Sequence, residues 1–222
     1  MLYEVRLYAI PPGRSVDIER RMLDDVPPLF VEHGMRVAGH WTVVAGPDMP
    51  AFLYILEWKD TAERDACWRS FYADPRWWDI RARTNAGSEL VESYGLWLMK
   101  PSAALERPFL PITAPAQDEI HEMLLQFVAI GQSDAVASCL RETVLPALEE
   151  LGGTTLSVLD MVAGPHVPAV AIFMAWADFQ SRSAGQRWME QMRAGGLLGR
   201  SDVYLLRPLT PKGPSLEGYV RE

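Results

Sequence analysis

Residues 44–60, VAGPDMPAFLYILEWKD, and residues 162–178, VAGPHVPAVAIFMAWAD, are two versions of one stretch. Eight of the seventeen positions are identical at an offset of 118 residues. At the same offset, sixteen of the 59 positions from 2 to 60 are identical without a gap. Unrelated chains of ordinary composition would match at roughly one position in sixteen. The end of the first copy, 94–101, matches 201–208 at an offset of 107, so the second copy lacks eleven residues. The sequence therefore predicts a duplicated domain.

Each copy has the pattern of strand, helix, strand, strand, helix, strand. Ser15 and Ser133 precede the first helix of their copies and are predicted N-caps, since a hydroxyl there accepts an unpaired backbone amide hydrogen. Pro28 and Pro146 fall inside the same helices and are predicted to kink them, because proline has no amide hydrogen. Two consecutive split βαβ units predict a ferredoxin-like domain, a four-stranded antiparallel sheet with helices on one face.

The predicted fold class is α+β, with two tandem ferredoxin-like βαββαβ domains that pair sheet to sheet. The predicted segments are copy one at 1–100, a proline-rich linker at 101–118, copy two at 119–208 and a C-terminal tail at 209–222. Large apolar side chains are expected on the sheet face that the helices leave open, namely those of Trp41, Tyr54, Trp58 and Trp97. A second sheet must cover that face. Pairing within one chain and pairing between chains, in a homo-oligomer, both satisfy this requirement.

The composition and the N-terminus argue against several classes of protein. The formal net charge is −8, which disfavours nucleic-acid binding because that function needs a basic surface. The sequence contains no run of 18 uncharged apolar residues, which is about the length needed to span a membrane. The opening stretch MLYEVRLYAI contains Glu4 and Arg6 where a secretory signal has an uninterrupted apolar run. We therefore expect a cytoplasmic protein with no nucleic-acid or membrane partner.

Copy one resembles the NIPSNAP family in four features: YEVRLY at 3–8, the strand opening at Gly39–Trp41, the Ala-Gly-Pro turn with an apolar strand ending at Trp58, and DPRW at 74–77. That family belongs to the dimeric α/β-barrel superfamily, in which two ferredoxin-like sheets pair. The resemblance implies the same fold here and a site between the sheet and the helices of one unit. Superfamily relatives include cofactor-free monooxygenases of aromatic polyketides, haem-degrading monooxygenases, lactone isomerases and cyclases, so the implied activity is a broad class.

Copy two resembles the family less closely. It keeps the turn and Trp176, but it has Leu124 at the position of Arg6 and lacks the DPRW motif. Two of the three charged positions considered below occur only in copy one. A site that uses them would therefore occur once in the chain.

A polar cluster is predicted on the first sheet. Strand alternation puts Glu4, Arg6 and Tyr8 on one face of the first strand. The ferredoxin-like strand order is expected to place Arg6 across from Glu57. Such a cluster is either a structural ion pair between the sheets or a group that orients a substrate.

Of the four histidines, His40 and His121 are expected to reach the interior. Each can be a hydrogen-bonded core residue, a general base or an axial haem ligand, since an ordinary imidazole pKa suits the last two roles. No tightly bound cofactor or metal is expected, and haem is the alternative.

Aromatic residues are concentrated in the third strand and second helix of copy one, at Trp58, Trp68, Phe71, Tyr72, Trp77 and Trp78. They are either ordinary core or the wall of a flat pocket for a planar ligand. The eleven residues missing from copy two fall in the equivalent segment, which favours a single pocket in copy one.

These observations lead to one set of predicted site residues. The predicted catalytic residues are Arg6, Glu57 and His40, and the predicted substrate-binding residues are Glu4, Tyr8, Trp41, Tyr54, Trp58, Trp77 and Trp78. The predicted ligand is a hydrophobic or aromatic small molecule. Two classes of function stay open: a cofactor-independent monooxygenase, isomerase or cyclase, and a non-catalytic binding or scaffold protein whose pocket is filled by side chains.

Overall fold

The computed structural model describes residues 1–112, 115–194 and 199–211, and its centre is a closed barrel of antiparallel strands. Copy one contributes β1 (Leu2–Ala9), β2 (Arg36–Ala45), β3 (Ala51–Trp58) and β4 (Ser93–Pro101), and copy two contributes β5 (Ile120–Phe127), β6 (Gly153–Ala163), β7 (Ala169–Trp176) and β8 (Ser201–Leu209). The order around the barrel is β1-β3-β2-β8-β5-β7-β6-β4. The predicted fold class is confirmed. The two sheets join at their edges within one chain, β2 to β8 and β4 to β6.

Helices pack on the outer face of each sheet. Copy one has α1 (Ser15–Arg20), α2 (Pro27–Glu32), α3 (Thr61–Ala73) and α4 (Pro75–Asn85), and copy two has α5 (Ser133–Cys139), α6 (Leu145–Glu150) and α7 (Phe179–Ala194). Copy one therefore has two helices between its third and fourth strands, where the described part of copy two has one. The helix without a counterpart is α4.

A π-helical turn joins the two helices that follow the first strand of each copy. In copy one this turn is Arg21–Asp25, where the Val26 amide donates to the Arg21 carbonyl, five residues back, at 2.9 Å. Pro28 has no amide hydrogen, so the regular α-helical bonding pattern cannot continue through this position. The turn of copy two is Leu140–Val144. Both helices are thus interrupted just before the prolines at which kinks are predicted.

The predicted serine N-caps are wrong. Ser15 and Ser133 are the first helical residues, and the N-cap positions are Arg14 and Gln132, whose side chains make no capping hydrogen bond. The glycines at 13 and 131, with φ of +83° and +82°, turn the chain into each helix one residue earlier than the serine pattern indicates.

The inside of the barrel is filled by side chains from both copies, including Tyr3, Val5, Trp41, Leu53, Trp97 and Phe173. Trp41 and Trp97 thus lie on the sheet face away from the helices, as expected. Tyr54 and Trp58 do not, because alternate residues of β3 point to opposite sides of the sheet. Both pack against the helices of copy one, so their expected placement is wrong.

The linker between the copies packs into one end of the barrel. Phe109 and Ile112 belong to the same core as the barrel interior. The Phe109 amide donates to the Tyr3 hydroxyl at 3.0 Å, and the Leu110 amide donates to the Leu156 carbonyl at 3.0 Å. This segment therefore covers one end of the barrel and also connects its two halves. Most of the predicted C-terminal tail lies outside the described residues.

Candidate functional site

Copy one contains a cavity of about 440 Å³ between the outer face of its sheet and its helices. Its polar and aromatic lining includes Arg6, Tyr8, Arg21, Tyr54, Trp68 and Trp77. Apolar side chains from α1, α2 and the π-helical turn complete the wall. Tyr72 and Tyr94, each about half exposed, also line it and stand at its mouth. A pocket between the sheet and helices of one unit is the location that the family resemblance implies.

The Arg6 guanidinium lies in the floor of the cavity and is held on several sides. Its Nε donates to Glu4 Oε1 at 2.6 Å, and only 4% of the residue is exposed. Its Cζ lies 4.0 Å from the centroid of the Trp68 ring and 5.2 Å from that of Tyr94. Cation–π contacts of this kind stabilise a desolvated guanidinium and fix its orientation.

Glu4 anchors the polar cluster beneath the cavity. Its carboxylate accepts hydrogen bonds from Arg64 Nε at 2.8 Å, Trp58 Nε1 at 3.0 Å and Trp68 Nε1 at 3.1 Å, besides the bond from Arg6. Burial alone would raise the pKa of Glu4, but the charge of Arg6 and the hydrogen bonds from its neighbours outweigh it and lower the pKa. Glu4 is therefore an anion at neutral pH.

Two tyrosine hydroxyls form a short hydrogen bond in the cavity wall. The Oη atoms of Tyr8 and Tyr54 are 2.6 Å apart, and Arg6 Nη1 donates to Tyr8 Oη at 3.4 Å. Burial raises the pKa of Tyr54 well above its ordinary value, and the neighbouring Tyr8 raises it further. The pair is thus a source of O–H donors beside a fixed positive charge.

Arg21 is a second buried cation of the cavity. Its Nε donates to Thr84 Oγ1 at 2.6 Å and its Nη2 to Asn85 Oδ1 at 2.5 Å, both on α4, and 3% of the residue is exposed. Burial, and then the charge of Arg81, lowers the pKa of Arg21 to about 10, so it stays protonated at neutral pH. The π-helical turn begins at this residue.

The structure brings together some of the predicted site residues and separates others. Those that line the cavity are Arg6, Tyr8, Tyr54 and Trp77, while Glu4 and Trp58 support it from behind. The expected pairing of Arg6 with Glu57 is wrong, since Arg6 lies opposite Tyr54 in the register and Glu57 lies opposite Tyr3. Glu57 Oε2 is 3.5 Å from the Tyr3 hydroxyl, on the barrel side of the sheet.

Three further predicted residues lie away from the cavity. Trp41 is inside the barrel, where its Nε1 donates to His121 Nδ1 at 2.9 Å. His40 lies behind Tyr54, with ring centroids 6.1 Å apart, and burial lowers its pKa to about 3. Trp78 is half exposed on α4, and its Nε1 donates to the Tyr72 carbonyl at 3.0 Å. The assignment of His40 as a general base therefore has no direct contact with the cavity to support it.

A model of the NIPSNAP family matches residues 3–102. Copy one is a NIPSNAP domain. The chain is also similar to an anthrone oxidase-like protein of known structure, with 16% identity, coverage of 95% of this chain and 96% of that one, and a TM-score of 0.58. A candidate monooxygenase from Fusobacterium nucleatum is 10% identical, with coverage of 100% and 97% and a TM-score of 0.63. At these identities the likeness is evidence of fold alone. A NIPSNAP domain protein from Burkholderia xenovorans, 22% identical, covers 49% of this chain and 99% of its own, with a TM-score of 0.41.

No curated protein matches the chain. Within the described ranges, no helix is long and apolar enough to cross a membrane. The same ranges contain no group of three or more His, Cys, Asp or Glu side chains placed to hold a metal ion.

The equivalent position in copy two is almost filled. The space beside Leu124 and Ile172 is about 30 Å³, against about 440 Å³ in the NIPSNAP domain. A separate cavity of about 390 Å³ lies beside α5, and its lining contains no aromatic residue. Leu124, Cys139 and Ile172 stand at the positions of Arg6, Arg21 and Tyr54 at the repeat offset. The ion pair beneath the cavity survives, with Arg182 Nη2 2.9 Å from Glu122 Oε1. Copy two thus keeps the ion pair and lacks the two arginines and the tyrosine that line the cavity of copy one.

Sequence reasoning missed several lining residues. Trp68 and Tyr72 belong to the predicted aromatic cluster but not to the predicted site, and Arg21 and Tyr94 belong to neither. A signal for Arg21 is present in the repeat, since this charged residue is replaced by a cysteine, Cys139, at the equivalent position of copy two. Tyr94 gave no comparable signal.

Proposed function

We propose that the cavity of the NIPSNAP domain binds an aromatic small molecule and that the protein acts on it as a cofactor-independent monooxygenase. The observation that carries this proposal is the contrast between about 440 Å³ of aromatic-lined space beside Tyr54 in copy one and about 30 Å³ beside its counterpart Ile172 in copy two. A core with no ligand to hold would be packed in both copies, because protein interiors are normally close-packed. The volume is in the range of small-molecule sites.

The hydroxyl pair of Tyr8 and Tyr54 supplies the polar contacts that such a ligand needs. Tyr54 stays protonated, since burial raises its pKa. Its hydroxyl and that of Tyr8 can donate to a ring oxygen of the ligand and pass a proton along their 2.6 Å hydrogen bond. The flat faces of Trp68 and Trp77 suit a planar ring system.

The structural neighbours named as a candidate monooxygenase and as anthrone oxidase-like support this reaction class by analogy of fold. In the reaction proposed, a ring methylene is oxidised to a carbonyl by one molecule of O₂. One oxygen atom enters the product and the other leaves as water, so the four electrons lost by carbon equal the four gained by O₂. No external reductant is required. The chain's part is to bind and orient the ring and to move the proton.

The test is oxygen uptake with anthrone as the probe, corrected for the rate without protein. We expect the wild-type protein to consume one O₂ per anthrone. A Val91→Trp variant, whose larger side chain fills the cavity, should consume O₂ at least tenfold more slowly. The matched control is Val16→Trp, which adds the same side chain at a position 74% exposed, and should keep the rate.

Two other outcomes separate the alternatives. Anthrone binding in wild type without turnover, lost in Val91→Trp, would leave the non-catalytic binding protein as the function. Absence of both binding and turnover would contradict the proposal. An absorption spectrum of the same sample tests the haem alternative through its Soret band.

A further inference from the structure

The cavity holds two buried guanidinium groups, those of Arg6 and Arg21. The two residues are 4% and 3% exposed. Burial of a cation is unfavourable unless an anion or several well-placed acceptors compensate it. The partners of each group therefore decide whether the cavity carries an excess of positive charge.

Arg21 is compensated by neutral groups. Its hydrogen bonds go to the Thr84 hydroxyl and to the amide oxygen of Asn85. Among the described residues, no carboxylate lies within 4 Å of it. Glu89, which also lines the cavity, is held by Arg81 Nη2 at 2.7 Å and by Asn85 Nδ2 at 3.0 Å. Its charge is thus shared with another cation.

Arg6 has a carboxylate partner, but that partner serves two cations. Glu4 binds Arg6 at 2.6 Å and Arg64 at 2.8 Å. Arg64 also pairs with the exposed Asp65 at 2.9 Å, so the buried carboxylate of Glu4 is shared between two guanidinium groups while the second carboxylate lies in solvent. Glu92, the other carboxylate of the lining, is exposed. Together with Arg21, this leaves the buried inner part of the cavity electropositive although the chain as a whole carries a net charge of −8.

We infer that the ligand of this cavity is an aromatic anion, a phenolate, enolate or carboxylate, whose oxygen is held by the guanidinium groups of Arg6 and Arg21. This inference rests on the proposed function and specifies its substrate class. Tyr8 stands beside the anion site, because its hydroxyl accepts from Arg6 at 3.4 Å and it also lines the cavity. The aromatic walls then take the ring system while the arginines take the charge.

A consequence is that an acidic ligand loses its proton when it binds. Two cations in a partly desolvated site stabilise the charged form of a nearby acid and lower its pKa. For a substrate with an enolisable ring, the bound anion is the electron-rich form that reacts with O₂. The inference therefore connects binding to the chemistry proposed above.

The test uses three naphthalenes of similar size: 2-naphthoate, 2-naphthol and 2-methoxynaphthalene, the last of which cannot ionise. We expect calorimetry at pH 7.5 to give at least tenfold tighter binding of the first two than of the third. Bound 2-naphthol should also show the absorption spectrum of its anion. The Arg6→Leu variant, which introduces the copy-two residue, and Arg21→Met should each weaken 2-naphthoate binding at least tenfold. The matched control is Arg83→Met, on α4 but outside the cavity lining, which should leave binding unchanged.

The ligand series on the wild-type protein decides the matter even if a variant does not fold. Equal affinity for 2-methoxynaphthalene and 2-naphthoate would overturn the inference and leave the proposed binding of aromatic molecules intact. Failure of all three probes to bind would overturn the proposed function together with the inference.

Discussion

Glu4 is the residue on which the buried polar contacts of the NIPSNAP domain converge. It accepts from two guanidinium groups and two indole N–H groups and is fully buried. Among the residues that the structure describes, its counterpart Glu122 accepts from Arg182 alone, and it is 9% exposed. The same carboxylate therefore has different importance in the two halves of the chain.

We expect Glu4→Gln to lower the free energy of unfolding by about 3–5 kcal/mol, since it leaves the buried guanidinium group of Arg6 without its anion. Glu122→Gln removes the anion of an ion pair that has fewer hydrogen-bond donors, so it should lower the free energy of unfolding by a smaller amount. Denaturant unfolding of both variants at pH 7 measures the difference. Equal losses would show that the additional donors around Glu4 add nothing.

The pH dependence of stability has a contribution from His40. Burial lowers its pKa to about 3 in the folded state, whereas the unfolded chain titrates near 6.5. Between these values the unfolded state binds a proton that the folded state does not, so the free energy of unfolding falls as the pH decreases. The slope from this group is at most about 1.4 kcal/mol per pH unit.

We expect His40→Gln to flatten that decline between about pH 6 and pH 4, because glutamine does not titrate. Unfolding curves at several pH values in that range provide the comparison with wild type. His121 adds to the slope in both proteins, since burial lowers its pKa as well despite the bond to Glu119. An unchanged slope in His40→Gln would contradict the prediction.

At the residue scale, the sequence predicts which side chains share a face of one strand better than it predicts which residues pair between strands. Strand alternation correctly places Glu4, Arg6 and Tyr8 on one face. The pairing of Arg6 with Glu57 fails because the actual partner, Tyr54, is three positions away, and an odd shift of register reverses the face. Register depends on bulges and turns that a single sequence does not display.

At the scale of elements, α4 accounts for the difference between the copies. It carries Trp77 and Arg81 into the cavity wall and the acceptors Thr84 and Asn85 for Arg21. Asp74 starts it, with its Oδ1 accepting from the Arg76 amide at 2.9 Å. The site therefore depends on one capped helix that has no counterpart in the described part of copy two.

We expect Asp74→Ala to destabilise α4 by about 1–2 kcal/mol through loss of its N-cap. Amide hydrogen exchange should become faster in Pro75–Asn85, and ligand binding should weaken with it. Asp60→Ala is the matched control, since Asp60 caps α3 through the Glu63 amide at 2.9 Å. Its effect on exchange should be centred on Thr61–Ala73, and identical exchange maps for the two variants would contradict the assignment.

Element order and helix interruption were predictable from the sequence, because periodicity and proline act locally. The start of α1 was not, since Gly13 turns the chain one residue before Ser15. The difference between the copies at α4 was visible in the sequence as the eleven residues that copy two lacks. The acceptors for Arg21 were not visible, because they arise from the packing of α4 against the π-helical turn.

At the scale of the whole molecule, the linker is a structural part of the barrel. Phe109 packs against Phe173 with ring centroids 5.1 Å apart and against Trp41 at 6.0 Å. Both partners lie inside the barrel. Pairing of the sheets within one chain and pairing between chains were both compatible with the sequence, since strand edges carry no mark of their partner. In the structure the sheets pair within one chain, β2 with β8 and β4 with β6.

We expect Phe109→Ala to lower the free energy of unfolding by about 3–5 kcal/mol, the usual loss for a buried phenylalanine. Phe179→Ala, at a residue that is 55% exposed, should change it by about 0.5 kcal/mol or less. Denaturant unfolding of the two variants tests this. Similar small effects would mean that the linker is only a tether.

The joining of both halves by a built-in linker has an evolutionary consequence. In a barrel made from two identical chains, every substitution appears twice, so a change that spoils one site spoils both. A fused chain escapes that symmetry, and each half can accumulate its own substitutions. Leu124, Cys139 and Ile172 occupy in one half the positions that Arg6, Arg21 and Tyr54 hold around the cavity of the other. Fusion therefore allows the two halves of the barrel to differ at equivalent positions.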